Sequence, residues 1–353
     1  MELKKRILVA PLNWGLGHAT RCIPIINALI AHNFEPIIAS DGVALELLKK
    51  EFPLLEAINL PSYKVTYSKK GKNFKLKLLK DSPKMLKAIK AEKTQIKDLI
   101  KTTQIDGIIS DNRLGVYSKK VPSVFISHQL NVLSGSTTWL SSKMHQHIIK
   151  KFDECWVPDV SNEPSLSGRL GHLENFRIPL KYLGVISRFN PISIEKKYDL
   201  MVLLSGPEPQ RTMLEEQLFE ELKTYRGKIL FIKGKVETEQ VVHLNDHMTV
   251  VNFMRSDELE TSLNLSEIVL SRSGYTTVLD LAKLGKKAFF IPTPGQFEQE
   301  YLAERLDEKG IVPYCSQEHF NINQLDRIEN YKGFDAITSE TDFKALFSLF
   351  ERK

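Results

Sequence analysis

Short apolar runs rich in valine and isoleucine recur along this chain, and longer stretches with helical spacing separate them. In the first half the runs are Arg6–Leu12, Glu35–Ser40, Gly107–Asp111, Pro122–His128 and Glu154–Pro158, with helical patterns over Cys22–His32 and Gly42–Lys50. Continuous rather than alternating hydrophobicity predicts strands buried on both faces, in parallel βα units whose helices cover the sheet. The rhythm restarts after Tyr198. Strands are predicted over Asp199–Gly206, Lys228–Gly234, Met248–Phe253, Glu267–Gly274 and Lys287–Pro292, and helices over Arg211–Tyr225 and Thr276–Leu284. The expected architecture is α/β, with two doubly wound Rossmann-like domains facing each other across a cleft. The first covers 1–190 and the second 196–335, and a C-terminal helix within 336–353 is placed to pack back on the first. The proline-containing stretch Ile178–Tyr198 suits a linker, with the boundary near Arg188 to Lys196.

Length supports this division, since 353 residues exceed one ordinary hydrophobic core. No apolar run reaches transmembrane length, and the N-terminus passes straight into a strand without a signal-peptide pattern. The three cysteines, Cys22, Cys155 and Cys315, are far apart, so neither a disulfide framework nor a zinc site is expected and a reducing cytoplasm fits. Charge is more informative by location than in total. Between Lys64 and Lys101, thirteen lysines face Asp81, Glu92 and Asp98, a local net of +10 within an overall +6, which leaves −4 elsewhere. With Leu86, Ile89, Ile96 and Leu99 interleaved, the stretch reads as a solvated helix face or as a contact for an anionic membrane surface, making the protein cytoplasmic and peripheral to the membrane. Nucleic acid is not an expected partner, because no aromatic-interleaved or helix-turn-helix pattern accompanies the lysines.

In open α/β sheets, ligands bind beyond the C-terminal ends of strands, where helix N-termini present free N–H groups. Three such loops carry candidate chemistry. Asn13 to Arg21 contains Gly15 and Gly17, which allow close backbone approach, and His18, which falls near a helix N-terminus that would lower its pKa. A neutral imidazole there is a candidate base. Arg21 stands about where a dinucleotide fingerprint needs its third glycine, and no Gly-Lys-Ser/Thr follows to make a P-loop. In Ser271 to Thr277, the hydroxyls and amides of Ser273, Gly274 and Thr276 suit a diphosphate, and Asp280, about one turn into the helix, suits ribose hydroxyls. In Thr293 to Tyr301, Gln299 and Glu300 are candidates for sugar hydroxyls.

The run from Ser271 to Leu306 resembles the C-terminal domain of glycosyltransferase family 28, through Arg272-Ser273-Gly274, Asp280, Pro292 and Gln299-Glu300, and the resemblance makes Arg272, with Ser273 and Gly274, a candidate for binding the donor diphosphate. Asp280 stands where the family carries Glu, and Glu300 where it carries a second Gln. Further upstream the likeness is looser. Val250 to Leu263 is similar to the segment that packs on the base, which makes Phe253 and the Met254 backbone candidates for a uracil contact. Trp14 to His18 resembles the family's glycine-rich turn, and Ser127 to Asn131, with His128, resembles its His-Glu-Gln-Asn segment without the acid. The resemblance implies a GT-B enzyme, an acceptor-side first domain and a nucleotide-sugar-binding second domain. It further implies an inverting transfer of a hexose or N-acetylhexosamine from a UDP-sugar donor to a glycan or lipid-linked acceptor of the cell envelope. No metal and no cofactor beyond the donor are implied.

His18 is then the first candidate base and Asp111 the second. Arg188 is a candidate for the diphosphate, and the Ser205-Gly206 turn for lining the cleft. Asn112 and Arg113, next to Asp111, read equally as acceptor-side residues or as part of a structural ion pair. Gly15 to Arg21 also resembles the nucleotide-sugar hydrolases of pseudaminic acid synthesis, in which the histidine activates water. A non-catalytic nucleotide-sugar sensor is the third reading.

Overall fold

The computed structural model describes residues 4–63, 74–173, 176, 178–206, 208–235, 242–244, 247–334 and 341–351, with the backbone alone for 74–83, 136 and 242–244. Among these, the residues up to 186 together with 341–351 form one compact unit, and those from 187 to 334 form another.

The first unit is built on β1 (Arg6–Pro11), α1 (Gly17–Ala31), β2 (Glu35–Ser40), α2 (Gly42–Glu51), β3 (Ala57–Asn59), α3 (Phe74–Thr102), β4 (Gly107–Asp111), β5 (Ser123–Ile126), α4 (Thr138–Ile149), β6 (Glu154–Val157) and β7 (Leu180–Tyr182). Its seven strands lie in the order β3-β2-β1-β4-β5-β6-β7, every described pair parallel. The sequence runs are buried as their composition requires: Ile7, Leu8, Val9, Ile37, Ile38, Ile108 and Ile109 are all 0% exposed. In the register, Pro11 lies opposite Asp111 and Asp111 opposite Ile126. The exits of β1, β4 and β5 therefore emerge side by side.

The second unit contains β8 (Tyr198–Leu203), α5 (Gln210–Glu221), β9 (Ile229–Ile232), β10 (Val242–Leu244), β11 (Met248–Val251), α6 (Ser256–Asn264), β12 (Ser266–Ser271), α7 (Tyr275–Lys283), β13 (Lys287–Phe290) and α8 (Phe297–Glu308). The order is β10-β11-β9-β8-β12-β13, parallel except for the antiparallel edge strand β10. The last helix, α9 (Phe343–Glu351), belongs to the first unit, where Phe347 and Phe350 pack on Trp156 and Phe34. A Cβ on Gly107 would collide with the Phe350 ring, so β4 must begin with glycine where this helix docks.

Some expectations shift. α1 starts at Gly17 rather than Cys22, because Thr20 N–H already bonds Leu16 O at 2.9 Å, so the glycine turn itself opens the helix. The stretch expected as linker contributes β7, which pairs with β6. The unit boundary falls before Ser187, ahead of the 188–196 region. Ser187 Oγ donates to Asp280 Oδ1 and Asn190 N–H donates to Glu260 Oε1, which tie this stretch to the second unit. Residues 64–73 of the lysine-rich stretch lie outside the described residues, as do the side chains of 74–83.

Candidate functional site

In the first unit, His18 lies in the first turn of α1, and Asp111 ends the neighbouring strand β4. His18 Nδ1 lies 2.9 Å from Asp111 Oδ1. A carboxylate only accepts, so a bond across this contact needs the proton on Nδ1, the tautomer whose Nε2 lone pair can act as a base, whereas a bond from the donor-only Arg21 guanidinium to the same nitrogen needs the other tautomer. Asp111 is 0% exposed, whereas the His18 side chain is 17% exposed. Arg21, one helical turn after His18, closes on both Asp111 oxygens, with Nε to Oδ2 at 2.5 Å and Nη2 to Oδ1. Its Nη2 also lies 2.6 Å from His18 Nδ1, and its Nη1 donates to His128 Nδ1 at 3.2 Å. The electrostatics follow from this packing. Burial pushes the Asp111 carboxyl upward, but the Arg21 and His18 charges outweigh it and bring the pKa down to about 2. For His18, burial first and Arg21 second lower the pKa below its ordinary 6.5. The imidazole is therefore neutral at neutral pH, through burial and a neighbouring guanidinium.

These contacts revise several expected roles. Asp111 is wholly buried and bonded, so it orients His18 instead of meeting an acceptor itself. His128 is 5% exposed and serves Arg21 rather than an open acceptor surface. Arg113 is 0% exposed; it donates to Pro11 O at 2.9 Å, Pro61 O at 3.1 Å and Glu92 Oε1 at 2.8 Å, and pairs with Asp41. It is the ion-pair alternative, holding α3 and two loops to the sheet. Asn112, half-buried with φ of 58°, is the member of the three left partly open. Gly15 takes φ of 78°, and a Cβ at that position would meet nothing within 4 Å, so the turn is open as well as left-handed. Gly17 forms the first residue of α1. Arg21 was legible only as a missing glycine; its spacing of three from His18 on a helix is the signal that finds it.

In the second unit the strand exits again come together. Arg272, 1% exposed, donates from Nη1 to Ile291 O and Pro292 O at 3.0 Å each, and from Nη2 to Gln210 O at 3.0 Å and Gln317 Oε1 at 2.8 Å. Burial lowers its pKa to about 10, still a cation at neutral pH. It braces the loops after β8 and β13 against each other and is not available to a diphosphate, contrary to expectation. Ser273 is 0% exposed and donates to Gln299 O at 2.7 Å, so its hydroxyl is structural too. Gly274 and Thr276 remain half-exposed at the N-terminus of α7, and Ser205 and Gly206 are exposed after β8. Gly206 takes φ of 103°, and the nearest atom to a Cβ there is Thr293 Oγ1 at 4.0 Å. That hydroxyl is buried and has no partner among the described residues. Thr293, directly after the strand-ending Pro292, is a polar group that sequence reading passed over.

Asp280 Oδ1 accepts from Ser187 Oγ at 2.5 Å, and its carboxyl is raised to about 6 by burial, against the opposing pull of Arg188 and Ser187. Arg188 lies over the Phe189 ring at 4.7 Å and donates to Ser256 Oγ at 2.7 Å, which places it at the start of α6. Phe253 and Met254 sit half-buried in the preceding loop. Gln299 Oε1 accepts from Thr293 N–H, and Glu300 Oε1 from Gly295 N–H, both at 2.8 Å. Both side chains thus first shape their own loop. Gln299 Nε2 and Glu300 Oε2 stay on the same helix turn.

Residues 210–329 match the glycosyltransferase family 28 C-terminal domain. Over 290 residues the chain is 24% identical to the UDP-N-acetylglucosamine–N-acetylmuramyl-(pentapeptide) pyrophosphoryl-undecaprenol N-acetylglucosamine transferase of Haemophilus ducreyi, covering 78% of this chain and 77% of that protein. The fold is similar to that of MurG from Acinetobacter baumannii (TM-score 0.59, 13% identity, 99% and 100% of the two chains) and to spinosyn forosaminyltransferase SpnP (TM-score 0.65, 13% identity, 99% and 100%). A parallel-stranded α/β unit with a histidine at its first strand exit is followed by a second, mostly parallel unit, and the chain is accordingly a glycosyltransferase with the GT-B fold whose residues 210–329 are similar to the family 28 C-terminal domain.

Proposed function

We propose that the enzyme moves a hexose or N-acetylhexosamine from a UDP-sugar to a glycan or lipid-linked hydroxyl, with inversion and without a metal. The observation that carries this reading is the neutral His18 ring set against the buried Asp111 carboxylate at 2.9 Å, and the base is the Nδ1-protonated tautomer, with its lone pair on Nε2. The acceptor O–H gives its proton to Nε2 as the oxygen attacks the anomeric carbon. The bond from that carbon to the diphosphate oxygen breaks, and UDP leaves with the electron pair. A single displacement of this kind inverts the centre. Charge on the leaving diphosphate is met by exposed Ser205 and Gly206, by half-exposed Gly274 and Thr276 and by the N-terminus of α7, with Arg188 as a nearby cation. Asp280 takes the ribose, Phe253 and the Met254 backbone the base, and Gln299 and Glu300 the sugar. The name of the Haemophilus ducreyi relative, with its UDP-sugar and pyrophosphoryl-undecaprenol acceptor, supports both the nucleotide and a lipid-linked acceptor. On this reading the enzyme works at the cytoplasmic face of the membrane. No helix among the described residues is long and apolar enough to cross a membrane.

Donor binding is tested by calorimetry. Asp280→Ala is expected to weaken UDP affinity about ten- to a hundredfold, as loss of hydrogen bonds to a charged acceptor of about 1.5–3 kcal/mol requires. An unchanged affinity removes Asp280 from the donor site. Mass spectrometry of the products separates the readings: a glycosylated acceptor supports transfer, and free sugar formed equally fast with or without acceptor supports hydrolysis.

The acid limb of the rate profile is a second test. Because the folded His18 pKa lies below 6.5, the neutral base persists as pH falls through 6.5 and is lost only further down. The limb of kcat/KM assigned to His18 is therefore expected below pH 6.5. A limb above that value, absent from a His18 variant's residual rate, contradicts the buried neutral base.

A further inference from the structure

His18 and Arg21 stand three residues apart on one side of α1, and both meet the buried carboxylate of Asp111. Alone beside an imidazole, a buried carboxylate draws a second proton onto the ring, because the attraction between opposite charges grows as water is excluded. A doubly protonated ring has no lone pair and cannot act as a base. The cluster in this protein opposes that outcome. Arg21 is 2% exposed and Asp111 0%, and the guanidinium closes on both carboxylate oxygens, with Nε to Oδ2 at 2.5 Å. A guanidinium keeps its charge in a protein, so the Asp111 charge is already matched. A second proton on His18 would set another positive charge within 2.6 Å of Arg21 Nη2. The other titratable groups at the cluster, among the described residues, do not offset this. His128, from the loop after β5, turns Nδ1 to Arg21 Nη1 at 3.2 Å and has to accept there. Cys22 on α1 lies 3.7 Å from Asp111 Oδ2, and burial pushes its thiol up, so it stays uncharged.

We propose that Arg21 is a positioning residue of the transfer: its fixed charge, forked onto Asp111, lets His18 stand against a buried carboxylate as an uncharged ring. The proton count follows from the charges. Arg21 and Asp111 sum to zero, so the buried cluster is neutral when His18 carries one proton. Without Arg21 the same cluster reaches zero only when His18 takes a second one. Either ring nitrogen can hold the single proton, as the two neighbours of Nδ1 separately require. What Arg21 opposes is the second. Burial and the Arg21 charge are the two largest causes of the lowered His18 pKa, ahead of the contrary pull of Asp111. Arg21 is itself fixed from two other parts of the sheet, since Asp111 ends β4 and His128 follows β5. Its place in catalysis rests on the proposed function, whereas its hold on the ring's protonation does not.

The test labels His18 in the full chain with diethyl pyrocarbonate, which acylates an imidazole nitrogen only when that nitrogen lacks a proton, and locates the label by tandem mass spectrometry. The His18 side chain is 17% exposed, so the reagent can reach it. In the parent the midpoint of labelling rate against pH is expected below 6.5. Arg21→Lys keeps the charge and is expected to stay below 6.5, whereas Arg21→Gln removes it and is expected above 6.5. Transfer gives a second readout. For Arg21→Gln, kcat/KM is expected to fall on the order of tenfold at about pH 6.5 and to return to within about threefold of the parent at about pH 9, while a merely structural loss is the same at both. A parent midpoint above 6.5, coinciding midpoints in Arg21→Gln and the parent, or a rate deficit that does not change with pH overturns the inference. If Arg21→Gln does not fold, Arg21→Lys decides: a midpoint below 6.5 supports the role of the charge, and one above 6.5 overturns it. A His18→Ala enzyme that transfers at the parental rate removes the ring as base and leaves the labelling result standing, which keeps the two readings apart.

Discussion

Replacing His18 by alanine is expected to lower sugar transfer on the order of a hundred- to ten-thousandfold, the usual contribution of a positioned general base. The calorimetric affinity for UDP is expected to stay within about twofold, because the assigned donor contacts lie on other residues. The geometry sharpens this expectation through Asp111. The proposed base has its proton on Nδ1, facing the carboxylate, so Asp111→Asn, which offers an amide that can donate to Nδ1, is expected to turn the ring toward the tautomer with Nε2 protonated and to silence the base while the ring remains. Both variants should lose kcat far more than they raise KM. A His18→Ala enzyme that transfers sugar at the parental rate rules the imidazole out as base and leaves the donor assignments untouched.

The second large effect is expected at Arg272 and concerns stability. Arg272→Met removes a buried guanidinium and leaves Ile291 O, Pro292 O, Gln210 O and Gln317 Oε1 without the bonds it supplies. An unsatisfied buried polar group costs about 1–3 kcal/mol, so several together predict a destabilisation of at least about 3 kcal/mol, visible as a lower denaturation midpoint of the apo protein. UDP affinity should fall as well, through the loosened loops after β8 and β13. The control is the pattern of the two effects. If Arg272 were a direct phosphate ligand, the apo protein would keep its midpoint and lose only affinity. A parental midpoint in Arg272→Met would restore the reading that the sequence suggested.

Much of this architecture was legible beforehand. Continuous Val/Ile runs at Arg6–Leu12, Glu35–Ser40 and Gly107–Asp111 have one stable solution, a strand covered on both faces, and the structure contains those strands. Loops at strand exits followed from the same reading, and with them His18, Asp111 and the turn at Arg272-Ser273-Gly274. Short edge strands were not legible. β3, β7 and β10 span three residues each and have too little apolar content to register as strands. The start of α1 was missed because glycines read as a turn even where the backbone is already helical.

What the sequence determined by itself was the parallel α/β class, the placing of polar loops at strand exits, and the likeness to a family 28 C-terminal domain. Those properties rest on local periodicity and on motifs of a few adjacent residues. Only the tertiary structure decided which of the polar side chains stay open at the strand exits and which are occupied inside the protein. Arg21 meets Asp111 across 90 positions, Arg113 meets Asp41 across 72, and Arg272 meets Gln210 across 62. A buried arginine and a ligand-binding arginine look alike along a chain. The difference is made by acceptors that folding brings from elsewhere, since a guanidinium taken out of water must find them within the protein.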